Sequence, residues 1–430
     1  MSWNESMASV QNADRAFFPL DEELELLPGK LTPHAHECLI RFGTIMPFAK
    51  AAKELEFVLK VGVSEPTARR YVEAAGKAYE EYQTAEVERL EKTCPPAKKN
   101  QQKMFVSVDG AMVPLVGGEW AEVKTLTIGE IQKPVLERGE WVVHSENHSY
   151  FSRMTESSLF RRLALVETHA RGIEKAKIVA AVTDGAEWEQ GFLDFHCPQA
   201  ERILDFPHAA ERVSQIGKAV WGEDSDQTKK WLGNQLHHLK HDGPSDLFSE
   251  IVELRNQKPA LEVLQKNQAY LEKRSDHMQY PRYRAQHLPI GSGAMESGNK
   301  VVVEARLKGA GMHWAIPHVN PMLTLRNIFC SERWQEGWQQ ITITLRQQEH
   351  QRRKELHQKH KCDSLQTSTQ PQVKSQVLEK PVLSQPIPML PVPSNTTLPH
   401  KSSIPAPNHL WRRSPIGKAK FLPNPQFSKN

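Results

Sequence analysis

Apolar and polar positions follow two different periods along this chain. Up to about residue 85 the spacing is helical. Thr32 before Pro33 is an N-cap signal, and Cys38, Leu39 and Phe42 form an apolar stripe on the helix that follows. Phe48, Ala51, Ala52 and Leu55 mark a second helix, and Gly62 with Ser64 introduces a third that carries Arg69 and Arg70. From residue 104 the period changes. Strands are predicted at 104–109, 112–116 and 120–128, with Gly117-Gly118 as a tight turn, giving three neighbouring antiparallel strands. Beyond the polar stretch HSENHSYFSR, helix and strand alternate: SSLFRRLALVETHARGI, then AKIVAAVTD, a helix from Gly185, the short strand RILDF and a helix from His208. Residues 211–285 return to purely helical periodicity.

These patterns divide the chain into a flexible arm (1–31), a three-helix segment (32–85), a charged linker broken by Pro95 and Pro96 (86–103), and an α/β domain (104–340) with an all-α insertion at about 211–285. A basic helix (341–362, with Arg352, Arg353 and Lys354) and a tail (363–430) follow. Many of the 29 prolines fall in that tail among Ser, Gln and Thr, so it is expected to be disordered. Helix, Gly-containing turn and capped helix in 32–85 are the elements of a helix-turn-helix, whose second helix enters the DNA major groove; an αα-hairpin packed on the core fits the same pattern.

Composition narrows the setting. The 430 residues can bury more than one core, and no apolar run approaches membrane-spanning length. The N-terminus lacks a secretory pattern, and the five scattered cysteines include no CxxC pair, so a reducing cytosol is expected. A net charge of +4 permits nucleic-acid binding without requiring it. His144, His148, His237, His238, His350, His357 and His360 show no metal-ligand spacing.

The candidate chemistry lies in carboxylates. Asp109 and Asp184 each end an apolar strand, and Glu296 follows a Gly-Ser-Gly turn at the start of a predicted helix. Alone, either Asp-Gly reads as a turn or cap. Together, two carboxylates at a sheet edge and a Glu from a helix form the donor set of a two-metal phosphodiester site. Asp205 and His208 form a D-x-x-H pair at another strand end; the His either contacts a scissile phosphate or packs locally. Arg306, Lys308, His313 and Trp314 offer phosphate ligands and a base-stacking ring, although Trp314 reads equally well as core.

In the order VDGAMVPL…GEWAEVK, SYFSR, TDGAEW, LDFPHA, GSGAMESGNK…RLKGAGMHW and LTLRN…W, the segment 105–338 resembles bacterial insertion-sequence transposases of the DDE class, most closely the ISKra group. The resemblance implies an RNase H-like mixed sheet with an α-helical insertion before the Glu, in line with the order of elements above. It implies Asp109, Asp184 and Glu296 as the metal-binding triad, two Mg²⁺ ions for which Mn²⁺ can substitute, and Asp205 with His208 as the family's C/D-x-x-H signature. It also implies double-stranded DNA as partner, at transposon ends and target, with Arg69 and Arg70 reading the ends. A homodimer or higher oligomer on DNA, in the cytoplasm at the nucleoid, follows from the need to hold two ends together. A nuclease that cuts without joining, or a DNA-binding regulator without chemistry, is the alternative. The chain departs from the family where Trp188 is followed by Glu189, Gln190 and Gly191 in place of further aromatics, and in its Pro-rich tail.

Overall fold

The structure, a computed structural model, describes residues 23, 26–97, 102–137 and 139–367, so most of the predicted arm and tail lies outside the described residues. Among the described residues no helix is long and apolar enough to cross a membrane, and Cys38, Cys94, Cys197 and Cys330 are free thiols.

Three helices open the fold: α1 (Pro33–Ile45), α2 (Phe48–Leu59) and α3 (Glu65–Thr93). Thr32 and Ser64 cap α1 and α3 as their positions predict, their hydroxyls accepting from Ala35 N and Thr67 N. Leu39 and Leu55 are fully buried between the helices with Leu31, Ala35, Ala52 and Ala68, and each contributes about 2 kcal/mol. The arm expected at 1–31 is packed at its end: Leu27 and Leu31 are buried, and Lys30 N donates to the Tyr71 hydroxyl.

The linker expected at 86–103 is helix over its first part, 86–93, while 98–101 lie outside the described residues. α3 runs to Thr93 as one 29-residue rod about 43 Å long. Its charges belong to a solvated helix face, with Arg89 bidentate on Glu86 and Arg162 bidentate on Glu91. The described residues up to Thr367 belong to one compact unit, so the N-terminal helices are not a separate body. α3 crosses α14 (Ile316–Cys330) at Gly76, where a Cβ would lie 2.1 Å from the Pro321 carbonyl oxygen. The expected basic helix is longer than 341–362: α15 runs Trp334–Thr367, and Trp334 and Ile341 bury its start.

A mixed five-stranded sheet in the order β5-β2-β1-β6-β7 holds the centre. Its strands are β1 (Lys103–Pro114), β2 (Trp120–Ile131), β5 (Ser145–Arg153), β6 (Ile178–Thr183) and β7 (Glu201–Leu204). β1–β2 and β2–β5 are antiparallel, β1–β6 and β6–β7 parallel. Two strand expectations are corrected. Residues 104–109 and 112–116 are not separate strands, because β2 pairs with β1 without a break from Met104 to Pro114. The third strand of the meander is β5, within the segment read as polar. Its polar groups are satisfied by tertiary partners, as where the Ser152 hydroxyl donates to Thr125 and Arg153 donates to Gln83. A short ribbon, β3 (Val135–Glu137) with β4 (Glu140–Val142), lies between β2 and β5 in the chain.

On one sheet face pack α4 (Ser157–Leu163), α5 (Leu165–Ala170) and α6 (Glu187–His196), around Val106, Val108, Leu126 and Phe160. The other face carries the helical insertion: α7 (Phe206–Trp221), α8 (Asp226–His241), α9 (Ser245–Gln257), α10 (Glu262–Glu272) and α11 (Tyr280–Ala285). α12 (Gly293–Asn299) continues through a π-helical turn at Lys300–Glu304 into α13 (Ala305–Leu307). The π turn displaces carbonyls from the regular ladder, and buried Arg326 on α14 donates to those of Val301 and Val302.

Candidate active site

Alternation along the strands sets the direction of the carboxylates. Phe105 on β1 and Ala180 and Val182 on β6 belong to the core under the insertion, and Asp109 and Asp184 share their parity and therefore their face. Paired residues run in step up to Val106 and Ala181, and the Ser107 hydroxyl still donates to Val182 O at 2.6 Å. Three residues past that last pair on each strand come Asp109 and Asp184. The expectation that Asp109 ends a strand is half right: it lies beyond the pairing with β6 but inside the ladder with β2, opposite Thr125.

Among the described residues no Lys or Arg forms an ion pair with Asp109 or Asp184, although the charge of His208 acts on Asp109. Asp109 accepts from Gly110 N at 2.6 Å and from Asn299 Nδ2 at 2.9 Å, and Asp184 from Ala186 N at 2.9 Å. Burial pushes the Asp109 carboxyl above its usual range, and the negative charge of Asp184 pushes it further. This is the electrostatic condition of a site that gains from a cation.

A third acid at this edge escaped the sequence reading. Glu189 is buried at N3 of α6, and its Oε2 accepts from Gly185 N at 3.0 Å and Ala186 N at 3.1 Å, half of a capping box. Its pKa is pushed up to about 10, first by burial and then by its hydrogen bond to Asp184, so it is protonated at neutral pH. The readable signal was a Glu three residues after the Ala that precedes a helix.

Asp205 is fully buried. Oδ1 accepts from Ser292 N at 2.7 Å, and Oδ2 accepts from His208 N at 3.2 Å and lies 2.8 Å from His208 Nδ1. One carboxylate thus caps α7, orients His208 and fastens the loop that leads into α12. The Asp205 hydrogen bond raises the pKa of half-exposed His208, helped by the charges of Asp205 and Asp184.

Glu296 is exposed, on α12 and three residues before the Asn299 that reaches Asp109. α12 sits close on the sheet: Thr127 Oγ1 is 3.2 Å from Met295 Sδ, and a Cβ on Gly298 would lie 2.8 Å from both Thr127 Oγ1 and Tyr150 Cε1. Two oxygen-donor carboxylates without a counter-ion fit a hard divalent cation. The expected triad is nonetheless not closed, because among the described residues no three His, Cys, Asp or Glu side chains form a group that could hold a metal ion.

The DNA-contact expectations divide. Arg69 and Arg70 are exposed in the first turns of α3, behind the turn 60–64 after α2, with Arg69 3.8 Å from Glu73. The expectation for Arg306 is corrected, and for Trp314 the core alternative holds. Arg306 is 2 % exposed, donates to Gly43 O at 3.1 Å and stacks on Phe48 and Trp314 at 4.9 and 5.1 Å; burial lowers its pKa to about 10. Trp314 is buried and donates Nε1–H to Leu307 O at 3.1 Å. Both residues bind the N-terminal helices to the sheet domain, so neither faces a ligand. Lys308 is half-buried and paired with Glu304 at 2.7 Å. No known protein-family model matches the chain, and no curated protein matches it.

Proposed function

We propose that this protein is a DDE-type DNA transposase that binds the terminal inverted repeats of its element and cuts and joins DNA strands with Mg²⁺ at the Asp109–Asp184 edge. The observation that carries this reading is the placement of Asp109 and Asp184 three residues beyond the last pair of two neighbouring parallel strands, on one face and, among the described residues, without a Lys or Arg ion-pair partner. The strand order β5-β2-β1-β6-β7, with a helical insertion between β7 and α12, is consistent with an RNase H-like fold and supports it. The order of sequence motifs adds to that support.

In this reading Asp109 and Asp184 hold the ion, with Glu296 as the further carboxylate from α12. Bound divalent ions supply charge neutralisation at the phosphate and lower the pKa of the attacking hydroxyl. The chain's own groups prepare the edge. Gly110 N and Asn299 fix the rotamer of Asp109, and Glu189 holds the Gly185–Ala186 turn that follows Asp184. Asp205 holds His208 by Nδ1, which leaves Nε2 to face the leaving strand, and the same carboxylate ties the α12 loop to β7. Arg69 and Arg70 at the start of α3 contact the repeat, and two subunits bring two ends together at the nucleoid. The exposed position of Glu296 favours a second reading, a DNA-binding protein without chemistry.

Cutting of a labelled duplex bearing the inverted repeat that flanks the gene, with Mg²⁺ or Mn²⁺, separates the two. Cleavage by the wild type that falls at least about 1000-fold in Asp184→Asn supports the enzyme. Equal cutting by both removes Asp184 from the mechanism, and specific binding without cutting selects the second reading.

A further inference from the structure

Arg212 lies four residues after His208 on α7, hence on the same helix face. Its guanidinium carbon is 4.5 Å from the centre of the Tyr270 ring. Tyr270 comes from the insertion helix α10 and donates its hydroxyl to the backbone carbonyl of Asp184. Arg274 stacks on the same ring at 3.8 Å.

The two arginines are used differently. Arg274 is committed to backbone, donating Nε and Nη2 to Gly185 O at 3.1 and 2.6 Å and Nη1 to Tyr270 O at 3.0 Å. It locks the turn that follows Asp184. Arg212 is bound to no backbone carbonyl in this way: its side chain hydrogen-bonds the Tyr270 hydroxyl, among the described residues no carboxylate pairs with it, and its Nε is buried without a hydrogen-bond partner. A half-buried guanidinium, oriented by an aromatic ring and lacking an anion beside an acidic edge, is a preformed receptor for a tetrahedral oxyanion.

We propose that Arg212 is the phosphate-binding group of this edge, taking a phosphodiester of the DNA strand beside Asp184. The proposal rests on the reading of the edge as a DNA-processing site. It gives the helical insertion a role, because Tyr270 and Arg274 hold the Asp184 turn and the guanidinium in one unit.

Two readouts test it on the full chain, with Arg212→Gln and Arg212→Lys. Affinity for a labelled duplex of arbitrary sequence, measured against salt concentration, reads phosphate contacts independently of any cutting. Arg212→Gln is expected to flatten the log–log slope by about 0.9, and Arg212→Lys to keep it. In the cutting assay Arg212→Gln is expected to lose about 100-fold in rate. A slope for Arg212→Gln equal to that of the wild type overturns the proposal, whatever the rate. A flattened slope with a wild type that never cuts keeps the phosphate subsite and discards the enzyme. Thermal melting checks folding; if the Gln variant does not fold, Arg212→Met, which keeps the stem against Tyr270, gives the same reading.

Discussion

The carboxylate edge and the Arg306–Trp314 clamp contain similar residue types, charged groups next to aromatic rings, and their structures separate them. At the clamp the charge is closed off from solvent. Arg306 is buried, bonded to the Gly43 carbonyl and enclosed by Phe48 and Trp314. At the edge charges are left over: among the described residues no Lys or Arg pairs with Asp109 or Asp184, and no carboxylate pairs with Arg212. A charge that packing closes off serves assembly, and half-exposed charges without an ion-pair partner mark a ligand site.

Mutations sharpen this contrast in decreasing order of expected effect. Arg306→Ala should lower stability by about 3 kcal/mol, at the upper end of ordinary single-site losses, through lost packing between the N-terminal helices and the sheet domain. Denaturant unfolding measures it, and DNA affinity of the folded fraction should stay constant. A variant of normal stability with weakened DNA binding would return Arg306 to the interface.

Gly298→Ala should cost about 2 kcal/mol, because its Cβ meets Thr127 and Tyr150 at 2.8 Å and must lift α12. Cleavage should fall with it, since α12 carries both Asn299 and Glu296. Unchanged cleavage would show that the seating of α12 does not matter to the chemistry.

Glu189→Gln has the smallest effect at pH 4 and the most specific pH signature. With a folded-state pKa of about 10 against 4.5, Glu189 gives stability that is complete below about pH 4.5 and drains away as pH rises toward 10. Gln copies the protonated acid at every pH. In the presence of a chelator the variant should melt together with the wild type at pH 4 and above it at pH 8. Parallel melting curves across that range would mean that Glu189 is ionised in the fold.

Much of this was legible in sequence because local patterns agreed with the fold. The caps at Thr32 and Ser64, the apolar runs into Asp109 and Asp184, and the helical insertion are set by short-range periodicity. What escaped depends on distant partners. β5 reads as polar because Ser152 and Arg153 are satisfied by Thr125 on β2 and Gln83 on α3. The C-terminal turns of α3 read as a linker because half of their ion pairs reach α4. Arg306 reads as a phosphate ligand, and Trp314 as base-stacking ring or core alike, because nothing local shows that Phe48 and Gly43 cover them. Glu189, written off as a departure from a family pattern, gains its meaning from the backbone amides of Gly185 and Ala186.

The central claim is that Asp109 and Asp184 form one cation-binding edge, and Mn²⁺ binding followed by electron paramagnetic resonance tests it most directly. The wild type should remove free Mn²⁺ signal, with affinity lowered at least about tenfold in both Asp109→Asn and Asp184→Asn. Equal binding by all three proteins would contradict the account.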